Sequence, residues 1–254
     1  MSLIKIAKSI KRKWVTRFMG AKDLENKFYE QQDSCQIPQL DFLFELFLGK
    51  RNTGVFVEVG AHDGLSCSNT WGLAIRGWRG YLIEAIPEYA EKCRHNHEKN
   101  KNVSVRQVAI GSADNQEIEF TVGGQLTTAN SNLSLEYQQT PWAKSLITNT
   151  RVTVPVMKLD TFLDESGIEH NFDLLVVDVE GFEAEVFAGF DIRTWQPKMI
   201  IIELTETHPD LRANATSDAK LGQSILTSGY EIVYKDSINT VFVQREHWKA
   251  VFGL

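Results

Sequence analysis

The sequence predicts an α/β fold with a mostly parallel sheet, and two apolar stretches and a terminal hairpin carry that prediction. Val55–Val59 and Phe172–Val177 are short, mostly apolar runs, each close to an acid and a glycine. Such runs are typical of parallel strands that are buried on both faces. Tyr230–Tyr234 and Thr240–Gln244 are separated by a short turn near the end of the chain, so the seventh strand is expected to run antiparallel.

The length of 254 residues fits one large domain with appendages. We expect an N-terminal helical extension at residues 1–50 and a main domain at 51–254, with an insertion at 117–157. Hydrophobic residues make up 43% and charged residues 24%, as in ordinary globular proteins. The formal net charge of -6 argues against nucleic acid as a partner, because neutralising phosphates needs a basic surface.

The cysteine content predicts a reduced, cytoplasmic protein. Cys35, Cys67 and Cys93 are widely spaced and odd in number, and no CxxC pair occurs. The sequence contains neither a signal-peptide pattern nor an uninterrupted apolar run of about twenty residues. We therefore expect neither secretion nor a membrane span.

Residues 3–18 have the pattern of a basic amphipathic helix. Five apolar residues recur at helical spacing from Leu3 to Phe18, and lysines and arginines occupy most of the remaining circumference. Two interpretations stay open: peripheral contact of residues 1–20 with an anionic membrane surface, or packing of the apolar stripe on the chain itself or on another subunit. The sequence does not indicate the oligomeric state.

The stretch Val55–Gly64, VFVEVGAHDG, combines the first strand with a glycine turn. Glycines allow positive φ and close approach of the backbone to a ligand, and ligands of open α/β sheets bind at the carboxyl ends of the strands. Glu58 precedes Gly60, and the next glycine, Gly64, comes four residues later, which differs from the dinucleotide fingerprint G-x-G-x-x-G. This pattern favours an S-adenosylmethionine site; an ordinary strand and turn is the alternative.

The next two strands extend the expected nucleoside site. Tyr81–Ile83 ends in Glu84, slightly more than twenty residues past the turn, where nucleoside-binding folds place the carboxylate that accepts the ribose hydroxyls. The third strand, at residues 103–108, leads into Ala109–Ser112, where backbone groups would meet the adenine edge. The alternative for Glu84 is a surface acid that merely ends a strand.

A polar insertion follows. Residues 117–122 and 151–156 alternate like strands and are expected to pair as a hairpin. Between them, residues 123–150 are rich in Gly, Thr, Asn, Ser and Gln. Long polar loops are uncommon in compact domains unless they act as lids or binding loops. We expect a lid suited to a substrate rich in hydroxyls, with a disordered excursion as the alternative.

Acidic residues follow the fourth and fifth strands. Asp178 and Glu180 come after Phe172–Val177, and Glu203 ends the strand that begins at Met199. Carboxylates at neighbouring strand ends can accept a proton, bind hydroxyls or hold Mg²⁺ or Mn²⁺, and the pattern does not choose among these. His208 is a further general-base candidate, although lone histidines are more often structural. Asp178 could instead cap the next helix.

Six stretches together resemble the FkbM-type family of S-adenosylmethionine-dependent methyltransferases. They are VFVEVGAHDG, SNTWGLAIRGWRGYLIEAIP, VAIGS, VPVMKLDTFLDE, FDLLVVDVEGFEAEVFAGF and PKMIIIEL, and they span about Thr53–Glu206. The resemblance implies a Rossmann-like class I methyltransferase fold. It also implies family positions in the acidic turn, namely Asp178, Glu180, Gly181 and Glu183. The cofactor contacts we expect are Glu58, Gly60, Asp63, Gly64, Ser66, Glu84, Ala109 and Asp178.

The expected function is O-methylation of a hydroxyl on a sugar, nucleotide sugar or glycan, with Asp178, Glu180 and His208 as catalytic candidates. A divalent metal would be held by Asp178, Glu180 and Glu203. Three alternatives stay open: a methyltransferase of another small molecule such as a polyketide, a non-catalytic cofactor-binding module docked on a larger assembly, or methylation of nucleic acid or protein. The acidic composition and the lack of an N/D-P-P-Y/F run after the fourth strand argue against nucleic acid.

Overall fold

The structure is a computed structural model that describes residues 35–148 and 150–254. The predicted basic helix at 3–18 and most of the extension at 1–50 lie outside the described residues, so both stay predictions. The strands are β1 (Val55–Val59), β2 (Arg79–Glu84), β3 (Val103–Gln107), β4 (Ala109–Ile110), β5 (Gln116–Thr121), β6 (Arg151–Met157), β7 (Leu174–Val177), β8 (Met199–Glu203), β9 (Tyr230–Lys235) and β10 (Asn239–Gln244). The helices are α1 (Leu40–Leu48), α2 (Trp71–Ile75), α3 (Pro87–Asn96), α4 (Ser131–Gln139), α5 (Leu159–Glu165), α6 (Glu183–Ala188), α7 (Ile192–Trp195), α8 (Ala215–Thr227) and α9 (Arg245–Phe252).

The main sheet has seven strands in the order β3-β2-β1-β7-β8-β10-β9. All of its pairs are parallel except those of β10, which runs antiparallel to both β8 and β9. The predicted mostly parallel sheet with an antiparallel last strand is therefore confirmed. The strand order reverses between β1 and β7, and in open α/β sheets the ligand crevice lies at such a switch point.

The strands are apolar along their length because both faces of the sheet are covered. In β7, Leu174 and Val176 face a core shared with Phe44 of α1 and Trp78. Its alternate residues, 175 and 177, face a second core to which α5, α6 and α8 contribute. Every residue of β7 is at most 1% exposed. Because both faces of this strand are buried, its residues do not alternate between polar and apolar as they do in a half-exposed strand.

Strands β5 and β6 of the insertion join β4 in a small three-stranded sheet in the order β4-β6-β5, and the insertion also carries helix α4. The predicted hairpin is confirmed, because β5 and β6 pair antiparallel from Thr121 and Arg151 to Gln116 and Val156. The described part of residues 123–150 is not a structureless excursion: it holds a 3₁₀ turn at Gly124–Leu126, and Asn130 caps α4 by accepting two backbone N–H groups. Helix α9, which packs on α1, was not anticipated by the sequence pattern.

Within the described ranges, none of the helices combines the length and apolar character that crossing a lipid bilayer requires.

Candidate active site

The strand register brings the acids and the glycine turn into one row. Val59 pairs with Ile83 on one side and with Val177 on the other, and Val177 pairs with Ile202. The residues that follow in each strand therefore lie side by side at the carboxyl edge of the sheet; they are Gly60, Glu84, Asp178 and Glu203. Strand pairing alone thus builds the floor of a site from residues up to 143 positions apart.

A cavity of about 880 Å³, counted to its open mouth, lies over this row. Its walls come from the glycine turn, the loop at 66–69, the end of β2, the β3–β4 junction, the insertion and the acidic turn at 178–180. Apolar side chains line one part, including Ile86, Ile110 and Phe120, and polar ones line another, including Gln36, Ser68 and Asn69.

The glycine turn is shaped by close contact between two backbones. Gly60 has φ +88°, and a Cβ atom there would lie 1.7 Å from the carbonyl oxygen of Asp178. Asp63 and Gly64, expected to contact the cofactor, are not among the residues that line the cavity. Asp63 instead stabilises the turn by accepting hydrogen bonds from the backbone of Leu65 and from both the backbone and the hydroxyl of Ser66. Ser66 itself lines the cavity, as does Ala109.

Glu84 lies in the cavity wall and is fixed by backbone donors. Its Oε2 accepts the N–H of His62 at 2.8 Å, and its Oε1 accepts the N–H of Ile86 at 2.7 Å. Each oxygen keeps a free lone pair, so both can accept a further hydroxyl. Burial raises the pKa of Glu84 to about 7. This geometry suits a carboxylate that binds two adjacent hydroxyl groups.

Glu58 is buried below the turn and accepts a hydrogen bond from the Thr70 hydroxyl at 2.6 Å. Burial, with a smaller contribution from the charge of Asp178, raises the pKa of Glu58 to about 8. Since the folded pKa exceeds the ordinary value of 4.5, folding favours the protonated form. The contribution of Glu58 to stability is therefore lost as pH rises from about 4.5 to about 8.

Replacing Glu58 with glutamine tests whether folding favours the protonated form of Glu58. We expect Glu58→Gln to unfold at nearly the wild-type urea midpoint at pH 5 and to be more stable than wild type by a few kcal/mol at pH 8. Glu117→Gln, at an exposed position, is the matched control. Its stability should differ from that of wild type by the same amount at pH 5 and at pH 8. A stability difference for Glu58→Gln that does not change with pH would show that Glu58 is ionised throughout.

Asp178, Glu180 and Glu203 form one cluster, in which an oxygen from each lies within 4.8 Å of the others. Burial raises the pKa of Asp178, and burial together with the neighbouring acids raises the pKa of Glu180 and of Glu203 well above the usual range. The Oε2 atom of Glu203 is buried and has no hydrogen-bond partner among the described residues. The cluster therefore has spare capacity for a proton or a cation.

The turn that carries Glu180 is held in an unusual conformation by neighbouring side chains. Glu180 has φ +52°, a left-handed backbone that costs a non-glycine residue about 1–3 kcal/mol, and Gly181 follows at +86°. Glu183 accepts the N–H groups of Val179 and Gly181, and burial raises its pKa to about 8. Strain of this kind persists only where the surroundings fix the backbone.

The insertion supplies contacts that the sequence pattern did not reveal. Tyr137 of α4 donates its hydroxyl to Oε2 of Glu180 at 2.5 Å, and the Thr128 hydroxyl donates to the Glu180 carbonyl at 2.6 Å. Asn130 donates to the Gly181 carbonyl at 2.9 Å. No sequence pattern in this long polar segment predicts that these three residues contact the acidic turn. They are identified by their contacts in the structure.

His208 is not brought into the site. Its Nδ1 accepts the backbone N–H groups of Asp210 and Leu211, both at 3.1 Å, and its ring lies beside Trp142. It is not among the residues that line the cavity, and it holds the loop after β8 in place. The general-base role expected for His208 is therefore replaced by a structural one in this geometry.

The cavity fits the group that the glycine pattern implies. Gly60 lets the glycine turn pack directly against the backbone of Asp178, and Glu84 presents two oxygens to a ribose. Ile86 and Phe120 offer apolar walls for a base, while Asn69 and its neighbours offer amide and hydroxyl groups for an amino-acid moiety. The acids at 178 and 180 complete the wall, and negative charge suits a sulfonium cation.

Solved structures similar in fold are distant. One is precorrin-6y C5,15-methyltransferase from Geobacter metallireducens GS-15, at 12% identity and TM-score 0.43, covering 86% of this chain and 94% of that one. Another is a ribosomal protein L11 methylase from Lactobacillus delbrueckii subsp. bulgaricus, at 11% identity and TM-score 0.42, covering 82% and 78%. Among curated proteins, none matches its sequence.

A family model does match. The model described as the methyltransferase FkbM domain covers residues 58–231, well over half of the chain. The matched range includes the glycine turn, Glu84, the insertion and the acidic turn at 178–183, which are the parts that build the cavity. The chain therefore belongs to the FkbM methyltransferase family and is an S-adenosylmethionine-dependent methyltransferase.

Proposed function

We propose that the enzyme transfers the methyl group to a hydroxyl of a sugar, nucleotide sugar or glycan. The observation that carries this proposal is the carboxylate cluster in the wall of the cofactor cavity: Asp178 and Glu180 line the same space as Gly60 and Glu84. A hydroxyl must lose its proton as its oxygen takes a methyl group. A raised pKa makes the ionised carboxylate a stronger base, which favours acceptance of that proton.

The chain's own residues do two kinds of work. S-adenosylmethionine, when bound, supplies a methyl group already activated by its sulfonium charge. Glu84 and the glycine turn would hold this molecule, and the cavity walls would orient the acceptor hydroxyl; positioning of this kind accounts for about 7–11 kcal/mol of barrier lowering in favourable cases. Glu180 then takes the hydroxyl proton on its carboxylate and becomes neutral, and the negative charge of the adjacent Asp178 favours this protonation.

A second role for the same acids is supported by the unpartnered Oε2 of Glu203. Three carboxylates within 4.8 Å of one another form an oxygen set that suits Mg²⁺ or Mn²⁺. Such an ion would offset the buried negative charge and lower the pKa of a hydroxyl bound to it. In this version Asp178, Glu180 and Glu203 are ligands, and none of them has to act as the base.

The acceptor class is supported by the polar insertion and the charge of the chain. Residues of the insertion, including Gln125 and Thr127, line the cavity, and amide and hydroxyl groups suit an acceptor with several hydroxyls. The net charge of -6 disfavours nucleic acid. A hydroxylated small molecule such as a polyketide is the alternative acceptor and would be methylated by the same chemistry.

The test is incubation of the full chain with labelled S-adenosylmethionine and a panel of nucleotide sugars, free sugars and hydroxylated polyketides, with and without EDTA. The proposal expects labelled methyl ether on a sugar hydroxyl. Label on polyketides alone would establish the alternative, and label on none would reject hydroxyl methylation. Activity that EDTA abolishes and Mn²⁺ restores assigns the metal role, whereas full activity in EDTA assigns proton transfer to the acids.

Tyr137→Phe should slow turnover without weakening cofactor binding. The change removes one hydroxyl that fixes Glu180 and keeps the ring that packs with Leu133 and Leu211. We expect kcat to fall about 10-fold, since a hydrogen bond to a charged group is worth roughly 1.5–3 kcal/mol. Tyr230→Phe is the matched control, because Tyr230 is also 1% exposed and donates to the Pro197 carbonyl away from the cavity. Equal kcat in the two variants would contradict this role.

A further inference from the structure

A short segment of the insertion crosses the mouth of the cofactor cavity. We call residues Gly123–Thr128 the strap. Gly124, Gln125 and Thr127 line the cavity that Gly60 and Glu84 also line. At the mouth, Nε2 of Gln125 lies 3.3 Å from Sγ of Cys67, which belongs to the loop that follows the glycine turn. The strap therefore meets the opposite wall across the opening.

The base of the strap is fixed, and the side chain of Gln125 at its tip is held by one weak hydrogen bond. Thr121 and Thr128 exchange backbone hydrogen bonds of 2.9 and 3.2 Å, which close the two ends of the strap. The Thr127 hydroxyl accepts the N–H of Gly123 and donates to the Gly124 carbonyl. Leu126 packs beside Leu133 and Tyr137, whereas the side chain of Gln125 makes one hydrogen bond, to a thiol sulfur, and sulfur is a weak acceptor. The Gln125 side chain can therefore part from Cys67 at low cost while the base of the strap stays in place.

The strap is also joined to the acidic turn. The Thr128 hydroxyl that ends the strap donates to the carbonyl of Glu180. Gly124 has φ +64°, and no atom lies within 4 Å of a Cβ built there, so the tip has free space around it. One end of the segment thus contacts the backbone of Glu180, whose side chain is the proposed base, and its tip contacts the wall beside the glycine turn.

We propose that the strap closes over bound S-adenosylmethionine and that Gln125 is a binding residue for this methyl donor. The inference rests on the proposed function and deepens it by naming the element that retains the donor. The Gln125–Cys67 contact spans the mouth, so the donor enters when this contact parts and is retained when it forms. Closure also keeps water away from the sulfonium, in the manner of catalytic lids.

Gln125→Ala tests the strap through release of the product S-adenosylhomocysteine from the full chain. We expect its dissociation rate to rise about 5- to 10-fold, because the variant loses the contact that holds the strap closed over the product. Gln138→Ala is the matched control, since Gln138 is an exposed glutamine of the same insertion. The control should release the product at the wild-type rate.

A second readout is the rate at which iodoacetamide alkylates Cys67, followed by peptide mass spectrometry that separates it from Cys35 and Cys93. Cys67 is exposed in the structure. Saturating S-adenosylhomocysteine should slow its alkylation about 10-fold in wild type and clearly less in Gln125→Ala. Equal release rates and equal protection in the two proteins would overturn the strap while leaving the proposed function intact. No binding to wild type would overturn both.

Discussion

Glu180→Gln is expected to reduce methyl transfer by about 10²–10⁴-fold in kcat, the usual worth of a general base. The amide keeps the size of the side chain and can still accept the Tyr137 hydroxyl, so the turn at 178–181 should keep its shape. The charge that accepts a proton, or binds a cation, is lost. The measurement is turnover with the acceptor found in the panel, alongside the dissociation constant of S-adenosylhomocysteine.

Glu185→Gln is the matched control for that loss. Glu185 lies on α6, two residues after Glu183, and is exposed, so the substitution removes the same charge close by without touching the cavity. We expect wild-type turnover from it. Product affinity within about 3-fold of wild type in Glu180→Gln would show that the cavity is intact. Wild-type turnover by Glu180→Gln would mean that Glu180 neither takes the proton nor holds an essential cation.

Gly60→Ala is expected to abolish cofactor binding, with a loss of affinity of about 100-fold or more. The added Cβ atom would lie 1.7 Å from the Asp178 carbonyl oxygen, and both are backbone positions that cannot turn away. Relieving the overlap must separate β1 from β7 at the row of strand ends where Glu84 and Asp178 are aligned. Calorimetric titration with S-adenosylhomocysteine measures the loss, and chemical unfolding measures the accompanying loss of stability.

Gly167→Ala separates the effect of the overlap from that of backbone strain. Gly167 also has positive φ, +61°, but nothing lies within 4 Å of a Cβ built there. Alanine in the left-handed region costs about 1–2 kcal/mol, so this control should lose that much stability and bind the product normally. If Gly60→Ala bound the product as Gly167→Ala does, the close backbone contact would have no part in shaping the cavity.

The sheet and the row of strand ends could be predicted from the sequence because both depend on local pattern and on register. Apolar runs that end in Gly60, Glu84, Asp178 and Glu203 mark the carboxyl ends of strands, and parallel pairing brings such ends together. The terminal hairpin pattern likewise predicted that the last strand runs antiparallel. For these features, the information lies within about ten residues of the position concerned.

The remaining parts of the site depend on contacts between distant segments. The motif predicts that Asp63 binds the cofactor, yet its carboxylate accepts hydrogen bonds from the N–H groups of its own turn. His208 follows an acidic strand end, yet its ring binds the backbone of its own loop. Tyr137 reaches Glu180 from 43 residues away, through an insertion whose polar composition carries no periodic signal. Such pairings are set by tertiary packing and leave no local pattern.

Calorimetric titration of the full chain with S-adenosylhomocysteine tests the central claim most directly, because it needs no acceptor. The arrangement of Gly60, Glu84 and the acidic turn predicts saturable binding of one molecule per chain, with affinity that falls strongly in Gly60→Ala and stays normal in Gly167→Ala. A well-folded wild-type chain that gives no heat of binding with either S-adenosylhomocysteine or S-adenosylmethionine would contradict the assignment of this cavity.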